Sequence, residues 1–221
     1  MSRHPLAWLG VSLRRRQLDV DLAALAAGQT GRGLEIGSGR VLRRGSFQPP
    51  PAADWVSMDL AWRPRPDIVG DVQRLPLAAE SLDAVICSEV LEYVPHLGEA
   101  VAEIGRALKS GGRLVIAAPF LHRADTPGDL WRLTEAGLRK LLEDGGFEVL
   151  EIRAQGAALA VAANILRFAI TAIPNRALRL AASTAAYLPL RALAALDQAA
   201  ARRLPALASF STGHAALAVK K

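Results

Sequence analysis

Cysteine is nearly absent: Cys87 is the single one in 221 residues. No intramolecular disulfide framework is available, and nothing argues for an oxidising compartment. Aromatic residues are scarce at 5%, and none alternate with basic residues as stacking on a nucleic-acid strand requires. No apolar run near the start has the form of a signal segment, because Arg14, Arg15 and Arg16 interrupt it early. No stretch of about 18 residues is free of polar groups outside the Ala-rich region after Gly156, and Asn164 and Arg167 intrude there. Nothing around Cys87 has metal-ligand spacing, and a cysteine in an apolar strand is most simply a small core residue. These lacks lead to the expectation of a cytoplasmic protein without metal and without a nucleic-acid partner.

Apolar residues and arginine, by contrast, are plentiful. Hydrophobic residues make up 51% and mean hydropathy is +0.20, enough for one domain with a substantial core and an appendage. The net charge of +6 is local. Between Ile152 and Phe210 stand Arg153, Arg167, Arg176, Arg179, Arg191, Arg202 and Arg203 against one acid, Asp197. That segment carries the whole excess, which favours a local partner surface over general polyanion binding.

The order of elements reads as alternating strands and helices. Residues 6–27 have helical spacing of Leu9, Leu13, Val20, Leu22 and Leu25, stopped by Gly28 and Gly31. Strands are expected at 33–36, 55–58 and 81–87. A helix over 99–109 is expected to close on Ser110-Gly111-Gly112, followed by a buried strand at 113–118 that Pro119 stops. Thr134 is expected to cap a helix running to about Asp144, with Gly145-Gly146 at its end and a strand at 147–152. The pattern predicts an α/β fold: a doubly wound, Rossmann-like, mostly parallel sheet. Residues 154–210 break the rhythm as an Ala/Leu-rich helical insertion, and 211–221 supply a last strand, expected to be antiparallel. The domain reading is therefore an N-terminal helix (1–30), a core (31–153), the insertion (154–210) and the returning strand (211–221).

The chemistry gathers at the strand ends. Leu34-Glu35-Ile36-Gly37-Ser38-Gly39 is a buried strand stopping in a glycine turn, where bare amides can approach a ligand. Asp59 ends the second strand 22 residues beyond Gly37, the spacing at which α/β nucleotide sites place a carboxylate against two ribose hydroxyls. Gly70-Asp71-Val72 adds a third acidic turn. A dinucleotide alternative needs a glycine three residues after Gly39, and Leu42 stands there.

At this point the chain resembles the class I S-adenosylmethionine-dependent methyltransferases over residues 30–153 and 211–221. The resemblance is carried by Leu34–Gly39, Asp59, Gly70-Asp71-Val72, Leu75-Pro76-Leu77, Ser81–Val85, Ser88–Val94 and Arg106–Leu114. It implies S-adenosyl-L-methionine as cofactor. Glu35 and the amides of Gly37, Ser38 and Gly39 would hold its amino-acid end. Asp59, with Leu60 beside it, would take the ribose, and Asp71 with the Val72 amide would face the adenine. Ser88 and Glu89 would border the sulfonium and the substrate entrance. Two features depart from the family pattern: Arg40 stands where a third glycine is common, and Gly45 with Pro49–Pro51 leaves room for at most two turns of crossover helix.

His122 lies just past the expected strand ending at Ala118, where α/β active sites gather, and is a candidate general base or a merely solvated loop histidine. Asp129, with Trp131 and Arg132, is a candidate for shaping the acceptor pocket or for a structural ion pair. The expected acceptor is a small molecule or a lipid-linked, glycan-related metabolite. The insertion has three readings: a cap that packs on the core or on a second copy, an interfacial helix on an anionic membrane, or a span. The rival functional class is a non-catalytic binding or scaffold subunit with the same fold.

Overall fold

The computed structural model describes residues 13–38, 45–63, 65–124 and 126–221. Gly39, Arg40 and Leu42 lie outside the described residues, as does the start of the expected N-terminal helix. The elements run α1 (Leu13–Leu25), β1 (Gly31–Ile36), β2 (Ala53–Asp59), β3 (Ile68–Val69), β4 (Leu82–Ser88), α2 (Leu97–Ala107), β5 (Leu108–Pro119), α3 (Glu135–Asp144), β6 (Phe147–Ala154), α4 (Ala158–Thr171), α5 (Arg176–Arg203) and β7 (Gly213–Lys220). Short 3-10 turns cover Leu91–Tyr93 and Pro205–Ser209.

One sheet holds all seven strands in the order β3-β2-β1-β4-β5-β7-β6. β1 to β5 pair in parallel, and β7 is antiparallel to both β5 and β6. The expected mostly parallel sheet with an antiparallel last strand is what the chain forms. Alternate side chains of the central strands feed two cores. Val85, Cys87, Leu114, Ile116, Ala216 and Ala218 face one side with Val101 and Ile104 of α2 and Leu138 and Leu142 of α3. Ile86, Val115, Ala117, Ala215 and Leu217 face the other, covered by Leu18, Leu22 and Leu25 of α1. Both faces are buried, which is why these strands read as continuous apolar runs rather than alternating ones. Cys87 is fully buried in the first core, and burial pushes its thiol pKa up.

Two local readings need correction. The α2 helix ends at Ala107, with Leu108 already extended. Ser110-Gly111-Gly112 therefore does not cap the helix. It lies in an irregularity of β5, where pairing to β4 jumps from Leu82↔Leu108 to Ala84↔Arg113, and Gly111 has φ of 75°. The two-residue β3 was not anticipated; Asp67 fixes this edge by accepting hydrogen bonds from the Ser57 amide and hydroxyl at 3.0 and 2.7 Å. Between β1 and β2 no helix occurs among the described residues, and Trp55 Nε1 ties the proline run down through the Pro50 carbonyl at 2.8 Å.

The Thr134 cap forms as expected, its hydroxyl accepting from the Gly137 amide at 3.0 Å. The insertion is a helical hairpin of α4 and α5. Asp197 of α5, 2% exposed, accepts from the Ala157 and Ala160 amides at the start of α4. A carboxylate against a helix N-terminus satisfies orphan amides and opposes the helix dipole. Among the described residues no helix is long and apolar enough to cross a membrane.

Candidate active site

The parallel strands deliver their carboxyl ends to one edge of the sheet, the edge where open α/β sheets bind ligands. β1 ends there in Gly37 at φ 79°. A Cβ on Gly37 would lie 2.3 Å from Val90 Cγ2, so the turn admits only glycine both for its backbone and for its space. The Gly37 and Ser38 amides donate to the Met58 carbonyl at 2.8 and 3.3 Å, which locks the β1 turn onto the end of β2. Glu35 is buried one residue before the end of β1.

Asp59 closes β2 half-exposed. Its Oδ1 accepts from the Ala61 amide at 2.8 Å, whereas Oδ2 has no partner among the described residues. Leu60, 74% exposed, projects beside it. The Gly70 amide donates to the Asp59 carbonyl at 3.0 Å, which brings the third acidic turn against the second. Asp71 accepts from the Gln73 amide and side chain, and Val72 is buried. This turn is braced from α2: Glu103 accepts from the Leu75 amide at 2.9 Å, and Arg106 donates to the Leu75 and Leu77 carbonyls. The Arg106 segment thus props the loop that carries Asp71.

Ser88 ends β4, and its buried hydroxyl has no partner among the described residues; the same holds for the Ser38 hydroxyl. An unpartnered buried hydroxyl is costly unless something occupies the space beside it. Those two groups, the open oxygen of Asp59 and the Cβ-free turn at Gly37 fit an adenosine-type cofactor along this edge.

Glu89 differs from expectation. It adopts φ of 59°, rare for a residue with a side chain, and its amide donates to the Ala117 carbonyl at 2.9 Å. Both carboxylate oxygens are taken by Arg14 of α1, one at 2.6 Å from Nη2 and the other closer still from Nη1. Arg14 is 5% exposed and also donates to the Thr212 carbonyl at 3.1 Å. Burial acts to lower the Arg14 pKa, but the Glu89 charge and hydrogen bonds outweigh it and hold the guanidinium above its ordinary value. The carboxylate of Glu89 is a strut joining α1, the end of β4 and the start of β7.

Asp129 behaves likewise. Its side chain is 3% exposed and meets Arg132 through both oxygens. Arg132 in turn donates to the His122 and Arg123 carbonyls at 3.4 and 3.0 Å. The two sequence-level candidates are thereby linked: Asp129 orients Arg132, and Arg132 holds the loop carrying His122. The His122 ring lies 5.2 Å from the ring of Phe168 on α4, with the Arg123 guanidinium 4.9 Å from the same ring. The insertion thus leans on the loop after β5. His214 is not part of this group; its Nδ1–H donates to the Leu133 carbonyl and its Nε2 accepts from the Ser211 hydroxyl.

Sequence reading missed Glu92. It is 4% exposed, its Oε2 has no partner among the described residues, and its carbonyl accepts from the Leu130 and Trp131 amides. Burial, then the neighbouring Glu89 charge, pushes its pKa up to about 8, against the opposing pull of Arg14, and Asp129 adds to the rise. An unfolded glutamate titrates near pH ~4.3. Folding therefore takes up a proton between these values, and stability falls as pH rises through that window. Glu92→Gln is expected to flatten the slope and to be more stable than the parent at pH 8 by up to about 5 kcal/mol. Chemical denaturation from pH 5 to 9 measures this, and parallel profiles for the two proteins would contradict it.

This sheet order with acidic loops at its carboxyl edge defines a Rossmann-like cofactor-binding domain. A family model described as a methyltransferase domain matches residues 49–116. A probable S-adenosylmethionine-dependent methyltransferase of Mycolicibacterium smegmatis is 36% identical over 94 residues, covering 39% of this chain and 37% of the relative. A demethylmenaquinone methyltransferase of Renibacterium salmoninarum is 36% identical over 127 residues, covering 52% of this chain and 51% of the relative. The chain thus spans about half or less of these curated relatives. The solved geranyl diphosphate C-methyltransferase of Streptomyces coelicolor A3(2), in complex with Mg2+, geranyl diphosphate and S-adenosyl-L-homocysteine, shares the fold. Its TM-score is 0.56 at 15% identity, over 93% of this chain and 77% of that one. The matched segment, residues 49–116, is thus that of a methyltransferase domain, and the fold around it is shared with a solved methyltransferase.

Among the described residues no group of three or more His, Cys, Asp or Glu side chains is placed to hold a metal.

Proposed function

We propose that the protein transfers a methyl group from S-adenosylmethionine to a small-molecule or lipid-linked acceptor. The observation carrying this reading is Asp59: a carboxylate at the end of β2 with one oxygen open, beside a turn at Gly37 where no side chain fits. In the proposal Asp59 accepts from the ribose hydroxyls, and Leu60 lies against the same end. Asp71 and the Val72 amide meet the adenine. Glu35, Gly37, Ser38 and Gly39 surround the amino-acid end, and Ser88 borders the sulfonium. The cofactor supplies an activated methyl group for in-line displacement.

What the chain contributes is chiefly orientation, which suffices for much of such a displacement. The Arg14–Glu89 strut holds the end of β4 in its left-handed turn, and the Asp129–Arg132 pair sets the loop after β5. With both oxygens engaged, Asp129 acts by position. His122, at the rim of that loop beside Phe168, is left as the group that accepts a proton from an acceptor hydroxyl or amine. The relatives named for demethylmenaquinone and geranyl diphosphate support a small organic acceptor.

Incubation with methyl-labelled S-adenosylmethionine and separate aqueous and lipid extracts of cells tests the reading. Label is expected in one small-molecule or lipid species, lost with His122→Ala far more in kcat than in cofactor affinity. Cofactor binding with no labelled product in either extract would favour the scaffold reading.

A further inference from the structure

Helix α5 is built back to front for a helix on the outside of a protein. Its inner seam carries the polar residues Ser183 and Asp197 with Leu190, spaced seven apart and buried against the rest of the fold. Its outer face carries Leu178, Ala181, Ala185, Leu188, Ala192, Leu196 and Ala199, all exposed. Leu178, Leu188 and Leu196 are 58%, 72% and 59% exposed, and they lie on the side opposite the seam at 3.6 residues per turn. Leu204 and Phe210 extend the apolar surface past the end of the helix at 59% and 45% exposure. Isolated exposed leucines need no explanation, but a continuous stripe along a 28-residue helix does.

The charges beside this stripe are of one sign. Arg176, Arg191, Arg202 and Arg203 are exposed and Arg179 half-exposed. The one acid of the segment, Asp197, is withdrawn into its cap on α4. Nothing acidic on α5 is left to answer the arginines.

We propose that the outer face of α5 docks on an anionic bilayer surface, with the leucines entering the acyl boundary and the arginines meeting lipid phosphates. Charge selects this occupant. A second copy meeting the first through the same stripe would bring two all-arginine borders together with no exposed acid on either helix. A nucleic acid would find leucine and alanine where bases need aromatic platforms. Among the described residues no helix, α5 included, is long and apolar enough to cross a membrane. The inference rests on this surface alone and stands whether or not the methyl-transfer reading holds. Its consequence for that reading is spatial, since α4, paired with α5, supplies the Phe168 that packs on the His122 loop.

The test is co-sedimentation of the full chain with vesicles of phosphatidylcholine alone or with about 30 mol% phosphatidylglycerol. Binding to the anionic vesicles only, weakening with salt, is expected. Leu188→Glu/Leu196→Glu should reduce the bound fraction about tenfold, and Arg202→Gln/Arg203→Gln by a smaller factor. Both pairs are solvent-exposed and outside the cofactor site, so circular dichroism and S-adenosylhomocysteine affinity should stay at the parent values. No binding to anionic vesicles, or equal binding by the leucine variant, overturns the proposal. So does a dimer in sedimentation velocity that Leu188→Glu/Leu196→Glu abolishes while vesicles are ignored, which would assign the stripe to a second copy.

Discussion

Asp59→Ala is expected to weaken S-adenosylhomocysteine binding by about a hundredfold while leaving the melting temperature nearly unchanged. Hydrogen bonds to a charged acceptor contribute about 1.5–3 kcal/mol each, and the ribose offers two hydroxyl donors to one carboxylate. Among the described residues Asp59 does little: its side chain holds only the Ala61 amide, two residues on, and is half-exposed. Loss of affinity without loss of fold is therefore the signature of a ligand-facing role. Asp59→Asn keeps one acceptor oxygen but no charge and should fall between, about tenfold down. A fold-wide destabilisation with unchanged affinity would make Asp59 a turn residue.

Arg14→Ala should have the opposite signature. Arg14 is buried, meets both oxygens of Glu89, and donates to Thr212 on the far side. Removing one member of a buried pair leaves the other charge uncompensated, at a cost of about 3 kcal/mol for a partner that keeps some exposure. For a chain of this length that corresponds to a fall of about 6–12 °C in melting temperature. The stranded Glu89 would also press on Glu92, already a carboxyl held largely neutral by burial. Arg14→Met/Glu89→Gln, which removes both charges and keeps volume, should recover most of the loss. If the double variant were no more stable than Arg14→Ala, the pair would not be the cause. Cofactor affinity is expected to fall in the single variant too, because Ser88 and Glu89 share one turn.

These two residues mark what was readable in the sequence and what was not. The Gly37 turn and Asp59 are local features, and their placement at the ends of neighbouring strands follows from their spacing along the chain. The strands of the sheet were legible for a related reason: both faces are covered, so the runs at Ala84–Cys87 and Leu114–Ala118 are apolar without interruption. Arg14 lies 75 residues from its partner and sits in a run of three arginines that looks like a solvated helix face. Only the packing of α1 over β5 and β7 turns the first of them inward. Glu92 was hidden in the same way, since a 3-10 turn does not announce which side it buries. The glycines at 111–112 had the composition of a helix cap. The deciding fact was pairing between β4 and β5, which sequence does not contain. His122 and Asp129 were each noticed for their loop, but their connection through Arg132 depends on two backbone carbonyls and has no sequence signal. In the insertion, Asp197 looked like one acid lost among arginines, whereas its position across from the α4 N-terminus makes it the residue that closes the hairpin.

The proposed activity depends on a cofactor cradle at the carboxyl edge of β1, β2 and β3. Titration calorimetry of S-adenosylhomocysteine into the full chain tests it most directly. One site per chain is expected, with a dissociation constant on the order of micromolar. An absence of heat and of any melting-temperature shift at about millimolar ligand would contradict it.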